Sequence, residues 1–209
     1  SCKWDMAEKD VLPMWVADMD FKTAPQIIKA LEDRAKSGIF GYSVYTDDIY
    51  DSIIGWFKKR HGWDIKKEWI NFSPGIVPAL HAFSRIFTKP GEKILMNSPV
   101  YYPFFKAAQR NGVEPVYSPL IIKNGRYEMD FEDIEKKAAD PLVKIFYLCS
   151  PQNPGGRLWT RDELERLGRI CLENDVLVVS DEIHCDLVYP ENRHVPFGTL
   201  DDKLTDNAI

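Results

Sequence analysis

A chain of 209 residues, 44% hydrophobic and 28% charged, is long enough for one large core, or for one domain and part of a second. A net charge of −5 without any basic stripe excludes the electrostatic footprint of a nucleic-acid binder. No apolar run approaches bilayer-spanning length, and the four cysteines lack CxxC spacing, so no membrane contact is expected and the thiols read as reduced, in a cytoplasmic protein.

Residues 1–23 read as irregular and extended around Pro13. A helix is predicted from Pro25, a residue suited to a first helical turn, with Ile27, Ile28, Leu31 and Ala35 on its apolar face and Gly38 at its end. A second helix, Asp47 to Arg60, carries the stripe Ile49, Ile53, Ile54, Trp56 and Phe57. A third follows Pro78 and carries Leu80, Phe83, Ile86 and Phe87. Beyond it the period changes. Strands are predicted at Lys93–Asn97, Val113–Tyr117, Val143–Leu148 and Val176–Ser180, alternating with helices at Tyr102–Arg110, Asp130–Ala138 and Asp162–Glu173. Asn192 and Asp201–Asp206 read as surface turns. The alternation predicts an α/β fold, a mostly parallel sheet with helices on both faces.

Ligands of open α/β sheets sit at the carboxyl ends of the strands, and the candidate site residues fall at such ends. Asp181 closes the Val176–Ser180 strand, and Asn153 lies in the turn Pro151-Gln152-Asn153-Pro154-Gly155-Gly156 after the preceding strand. A carboxylate and an amide so arranged suit a pyridine cofactor: the anion pairs with a protonated ring nitrogen, and the amide donates to a ring oxygen. Taken alone, Asp181 is an ordinary turn cap and Asn-Pro-Gly is good turn chemistry. Ser73-Pro74-Gly75-Ile76-Val77-Pro78 precedes a helix, whose first N–H groups bind phosphate without a basic side chain; the plainer reading is a helix-entry loop. Tyr101 is the candidate to lie on a cofactor ring, with Tyr102 behind it, against a reading of both as edge packing. His184, three residues after Asp181, is either near a ring oxygen or a satisfied polar group. Tyr42 would reach a phosphate only from a neighbouring subunit, and otherwise is a surface tyrosine. His61, His81 and His194 show no spacing with Cys or Glu that suggests a metal.

Together these residues resemble the aminotransferase-like, fold-type I enzymes that use pyridoxal 5'-phosphate (PLP). Within them the chain is most similar to the MalY/PatB-type cystathionine β-lyases, or C–S lyases. The resemblance rests on Trp15-Val16-Ala17-Asp18-Met19-Asp20-Phe21, on Pro99-Val100-Tyr101-Tyr102-Pro103, on the turn 151–156 and on Ser180-Asp181-Glu182-Ile183-His184-Cys185-Asp186-Leu187. Many aminotransferases of the fold have Tyr where His184 stands.

The resemblance implies a homodimer with active sites at the subunit interface. It implies Asp181 at the ring nitrogen, Asn153 at the ring oxygen, Tyr101 on the ring face and the Ile76-Val77 backbone at the phosphate. It further implies Tyr42 reaching the partner's phosphate, and Ala17, Asp18 and Tyr102 at the substrate end. Residues 1–45 would be an N-terminal segment with part of a small domain, and 46–209 the PLP-binding large domain. The family's Schiff-base lysine has no counterpart: Lys203 is the only lysine after Asp181, in an unrelated context. The expectation is therefore the N-terminal part of a longer enzyme, with no catalytic residue of its own. The implied activity is α,β-elimination on a cystathionine- or cysteine-like thioether amino acid. An aminotransferase of the same fold, and a non-catalytic binding or regulatory module built on it, are the alternatives.

Overall fold

The computed structural model describes residues 1–209. They form two compact units, Ser1–Thr46 and Asp47–Ile209.

In the first unit a short helix, α1 (Cys2–Asp5), stands where the sequence reads as irregular. The following segment is tied back to it. Lys3 Nζ donates to Asp20 Oδ2 at 2.6 Å and to the Asp18 carbonyl at 3.0 Å, and Trp4 Nε1 donates to Asp20 Oδ1 at 2.8 Å. Helix α2 (Pro25–Ser37) opens on the predicted proline and stops at Gly38, which takes the left-handed conformation and donates its N–H to Ala35. Its apolar stripe has the expected period, yet Ile27, Ile28 and Leu31 stay exposed.

The second unit starts with α3 (Asp47–His61), followed after a 3-10 turn by α4 (Ile76–Phe87). Helix α4 begins at Ile76 rather than beyond Pro78. Proline is tolerated in a first turn because its missing N–H has no intrahelical partner there. Four strands then form one parallel sheet in the order β2-β1-β5-β6, built from β1 (Lys93–Ser98), β2 (Glu114–Pro119), β5 (Val143–Cys149) and β6 (Leu177–Asp181). Helices α5 (Pro103–Arg110), α6 (Phe131–Ala138) and α7 (Arg161–Glu173) make the crossovers. Helix α7 starts with a capping box: Thr160 Oγ1 accepts from the Glu163 N–H, and the Glu163 side chain accepts from the Thr160 N–H.

Alternation along the strands separates two cores. Leu95, Phe146, Leu148 and Val178 pack with Ile134 of α6 and Leu164, Leu167 and Cys171 of α7. Ile94, Met96, Ile145, Tyr147, Cys149 and Val179 pack with Leu80 of α4 and Phe104, Ala107 and Ala108 of α5. Tyr147 is held in the second core by donating to the Leu80 carbonyl at 2.6 Å and lying 2.8 Å from Ser84 Oγ. Asp181, two residues past Val179, shares that α4/α5 face by the same period of two.

Two features depart from the sequence reading. Residues 121–128 form a hairpin, β3 (Ile121–Lys123) with β4 (Arg126–Glu128), around Asn124-Gly125. Both turn residues have positive φ, as a two-residue hairpin turn demands. Residues 201–206, expected as a surface turn, contain helix α8 (Asp202–Thr205), capped by Asp201 and anchored by buried Leu204. Beyond it the chain runs along the free edge of β6: Val178 N–H donates to Asn207 at 3.0 Å, and Ser180 N–H to Ile209 at 2.8 Å.

The 3-10 turn Phe197–Thr199 fits against Trp63 through a glycine. A Cβ on Gly198 would lie 2.1 Å from Trp63 Cζ2. Gly198→Ala is expected to cost about 1–3 kcal/mol of stability, as overpacking does. The measurement is the urea midpoint, which should fall with an unchanged slope.

Candidate active site

Strands β5 and β6 end side by side, with Cys149 opposite Asp181 and the Ser150 N–H donating to the Asp181 carbonyl at 3.0 Å. The loop after β5 turns back at once. Asn153 N–H donates to Cys149 Sγ at 3.3 Å, and Gln152 N–H to the Arg157 carbonyl at 2.8 Å. The buried Gln152 side chain then joins this loop to the one after β1. Its Nε2 donates to the Pro99 carbonyl at 2.6 Å, and its Oε1 accepts from the Gly155 N–H at 2.6 Å. Tyr101 N–H completes the seam by donating to the Asn153 carbonyl at 3.1 Å. Gly155 has to be glycine here, since a Cβ would sit 2.5 Å from Gln152 Oε1 and 2.8 Å from the Tyr127 ring.

Asn153, Tyr101 and Asp181 are thus brought together through Cys149 and the backbone. Sequence reasoning missed Gln152. A glutamine inside a proline-rich turn was a signal, because a turn that satisfies its own backbone has no need of a buried amide.

Asp181 is 9% exposed. One carboxylate oxygen accepts from the Ile183 N–H at 3.1 Å, and no lysine or arginine pairs with it. Burial pushes its pKa above the ordinary 3.8. The Ile183 N–H and His184 pull it down, and the Glu182 charge pushes it up again. It faces a cavity of about 500 Å³ that Gly75, Ile76, Ala79, Phe83 and Ile209 also line. Gly75 is the N-cap of α4, so Ile76 and Val77 carry the first helical N–H groups. Those donors have no partner within the helix, and they sit at the positive end of its dipole. One cavity therefore offers anion-binding N–H groups and a desolvated carboxylate that lacks a cation. That combination suits a ligand with a negative group at one end and a protonated nitrogen at the other.

Tyr101 is 40% exposed, and its ring centroid lies 5.1 Å from that of Tyr102 in an edge-on contact. Burial, then Tyr102, then the Asp181 charge push its hydroxyl pKa up. His184 is half-buried in the turn after β6, where its carbonyl accepts from the Leu187 N–H. Ala17, Asp18 and Tyr42 belong to the first unit, where all three are exposed. Lys203 is exposed on α8.

Residues 9–205 match the aminotransferase class I and II family. The chain belongs to that family. Among its relatives, cystathionine β-lyase PatB of Bacillus subtilis is 45% identical over 100% of this chain and 55% of its own length. Protein MalY of Escherichia coli is 36% identical over 91% of this chain and 49% of its own. Among solved structures, a PLP-bound putative aminotransferase from Clostridium difficile superposes with a TM-score of 0.94 at 45% identity, covering 100% of this chain and 55% of that one. Cystalysin from Treponema denticola, which contains PLP, superposes with a TM-score of 0.94 at 38% identity over the same shares. The chain spans about half the length of the curated relatives it matches.

A carboxyl whose folded pKa lies above its unfolded value costs stability wherever it is ionised. The cost is absent in acid and complete above the folded pKa. Asp181→Asn keeps an acceptor for the Ile183 N–H and removes the charge. In the ligand-free protein the variant is expected to melt at a higher temperature than wild type at neutral pH, with the gap closing as pH falls towards the ordinary carboxylate range. A lower melting temperature at neutral pH would contradict a desolvated, cation-free carboxylate.

Proposed function

We propose that the full-length protein carrying this sequence is a PLP-dependent C–S β-lyase. It would split cystathionine- or cysteine-like thioether amino acids into a thiol, pyruvate and ammonia. The observation that carries this reading is the buried carboxylate of Asp181, unpaired with any lysine or arginine, sharing one cavity with the start of α4. These residues fit PLP, which has an anionic phosphate and a basic pyridine nitrogen. The 45% identity to a cystathionine β-lyase supports the choice of reaction.

In this reading the Ile76 and Val77 N–H groups would hold the phosphate. Asp181 would hold a proton on the ring nitrogen, an ion pair that favours its charged form. Asn153, its backbone already clamped by Tyr101 and Cys149, would offer its side-chain amide to the ring oxygen, with His184 as a further candidate there. Tyr101 would stack on the ring. When bound, PLP supplies an electron-accepting ring that stabilises the charge left at the substrate Cα as its proton departs. Tyr102, Ala17 and Asp18 would border the substrate, and Tyr42 would reach the phosphate of the partner in a cytoplasmic homodimer. The residue that takes the Cα proton is not assigned among residues 1–209.

The second reading is an aminotransferase of the same fold, favoured by the likeness to the Clostridium difficile structure. Incubating the full-length protein with cystathionine separates the two. Sustained pyruvate release without a keto-acid acceptor is expected, and turnover that requires the acceptor would give the aminotransferase. A visible absorbance band lost on borohydride treatment is the expected sign of bound PLP. Asp181→Ala should lower pyruvate release by about 10²–10³-fold, the scale of losing one preorganised electrostatic partner. Unchanged turnover in a folded variant would remove Asp181 from this role.

A further inference from the structure

Away from that cavity, the loop after β6 meets the end of α3 in a cluster of metal-ligating side chains. His61, the last residue of α3, has Nε2 2.9 Å from Asp186 Oδ1. One ligand atom from each of His61, Cys185 and Asp186 lies within 4.8 Å of the others. Trp56 Nε1 donates to the second Asp186 oxygen at 2.9 Å, and the half-exposed Arg60 approaches the first at 3.6 Å. His61 and Cys185 border a cavity of about 730 Å³ that His194 also lines.

His194 stands beside the cluster without being one of its three donors. Its side chain is 1% exposed, and its Nε2 lies 2.8 Å from Glu182 Oε2. The Nε2–H donates to that carboxylate, leaving Nδ1 for any other partner. That Nδ1 is buried and has no hydrogen-bond partner. The His194 ring meets the His61 ring edge to face, with centroids 5.7 Å apart. Glu182 is itself held in place: its other oxygen accepts from Ser180 Oγ at 2.9 Å and from the Phe197 N–H at 2.8 Å.

We propose that His61, Cys185 and Asp186 bind a divalent cation of the zinc class, with the fourth position left to water. Zinc takes imidazole, thiolate and carboxylate together in tetrahedral sites, whereas calcium and magnesium take oxygen. Binding replaces the His61–Asp186 hydrogen bond and displaces the Cys185 thiol proton to solvent. One neutral imidazole, one thiolate and one carboxylate then balance the dication. Burial, with the Asp186 and Glu182 charges, holds the free thiol up at about 11, and a cation reverses that field. The ion would brace the end of α3 against the loop that starts from Asp181. The lyase reading does not depend on it, and its test reads metal binding rather than turnover.

The test uses chelator-treated full-length protein titrated with Zn²⁺ alone, and with Co²⁺ as a spectroscopic substitute. Expected are stoichiometric uptake, proton release on binding and a thiolate-to-cobalt charge-transfer band that Cys185→Ser removes. Cys185→Ser and Asp186→Asn should each weaken zinc binding at least about tenfold while leaving the circular dichroism unchanged. Wild-type protein without stoichiometric uptake, or uptake unchanged in both Cys185→Ser and Asp186→Asn, overturns the proposal.

Discussion

A carboxylate taken out of water without a cation is the constraint around which this chain is organised. Asp181 ends a central strand on the face packed by α4 and α5, with a single backbone N–H for company. Its raised pKa expresses the cost of that position. A fold chosen for stability alone would place an apolar residue there, in line with Val179. Retaining the carboxylate makes sense if the missing partner is a ligand, because the cation that relieves the desolvation then also gains affinity from it.

The neighbouring elements serve that position by geometry more than by charge. The parallel register sets Cys149 against Asp181, and the loop after β5 folds back so that the backbone of Asn153 reaches the Cys149 sulfur. Gln152 commits its amide to three backbone groups in two loops, which fixes Tyr101 relative to Asn153 before any ligand arrives. Preorganisation of this kind lowers the entropy lost on binding. The start of α4 brings an anion-binding end to the same cavity, and Gly75 permits the turn from which it begins.

The turn after β6 divides its side chains between two tasks. Asp181 faces the α4/α5 cavity. Glu182 is committed to Ser180, Phe197 and His194, and Cys185 and Asp186 meet His61 and Trp56 of α3. Adjacent residues in an irregular segment can diverge in this way because no helical or strand period binds them to one face. A hydrogen-bonded cluster on one side of the turn thus adjoins the carboxylate on the other.

Local chemistry alone determined much of this protein. Pro25 and Gly38 bounded α2, and the apolar runs at 143–148 and 176–180 read as buried parallel strands, which the structure places at 143–149 and 177–181. Asp181 and Asn153 were legible because strand ends are where such sheets bind ligands. The β3/β4 hairpin was not read, since strands of three residues are too short to display alternation, although Asn124-Gly125 marked its turn. Helix α8 was hidden by its acidic surroundings; the Asp201 cap and the burial of Leu204 account for it. Only the tertiary structure decided the role of Gln152, the raised pKa of Asp181 and the meeting of His61 with Cys185 and Asp186. Each depends on segments far apart in the chain coming within hydrogen-bonding distance, and that proximity comes from the packing of the sheet and its helices and leaves no period or spacing in the sequence.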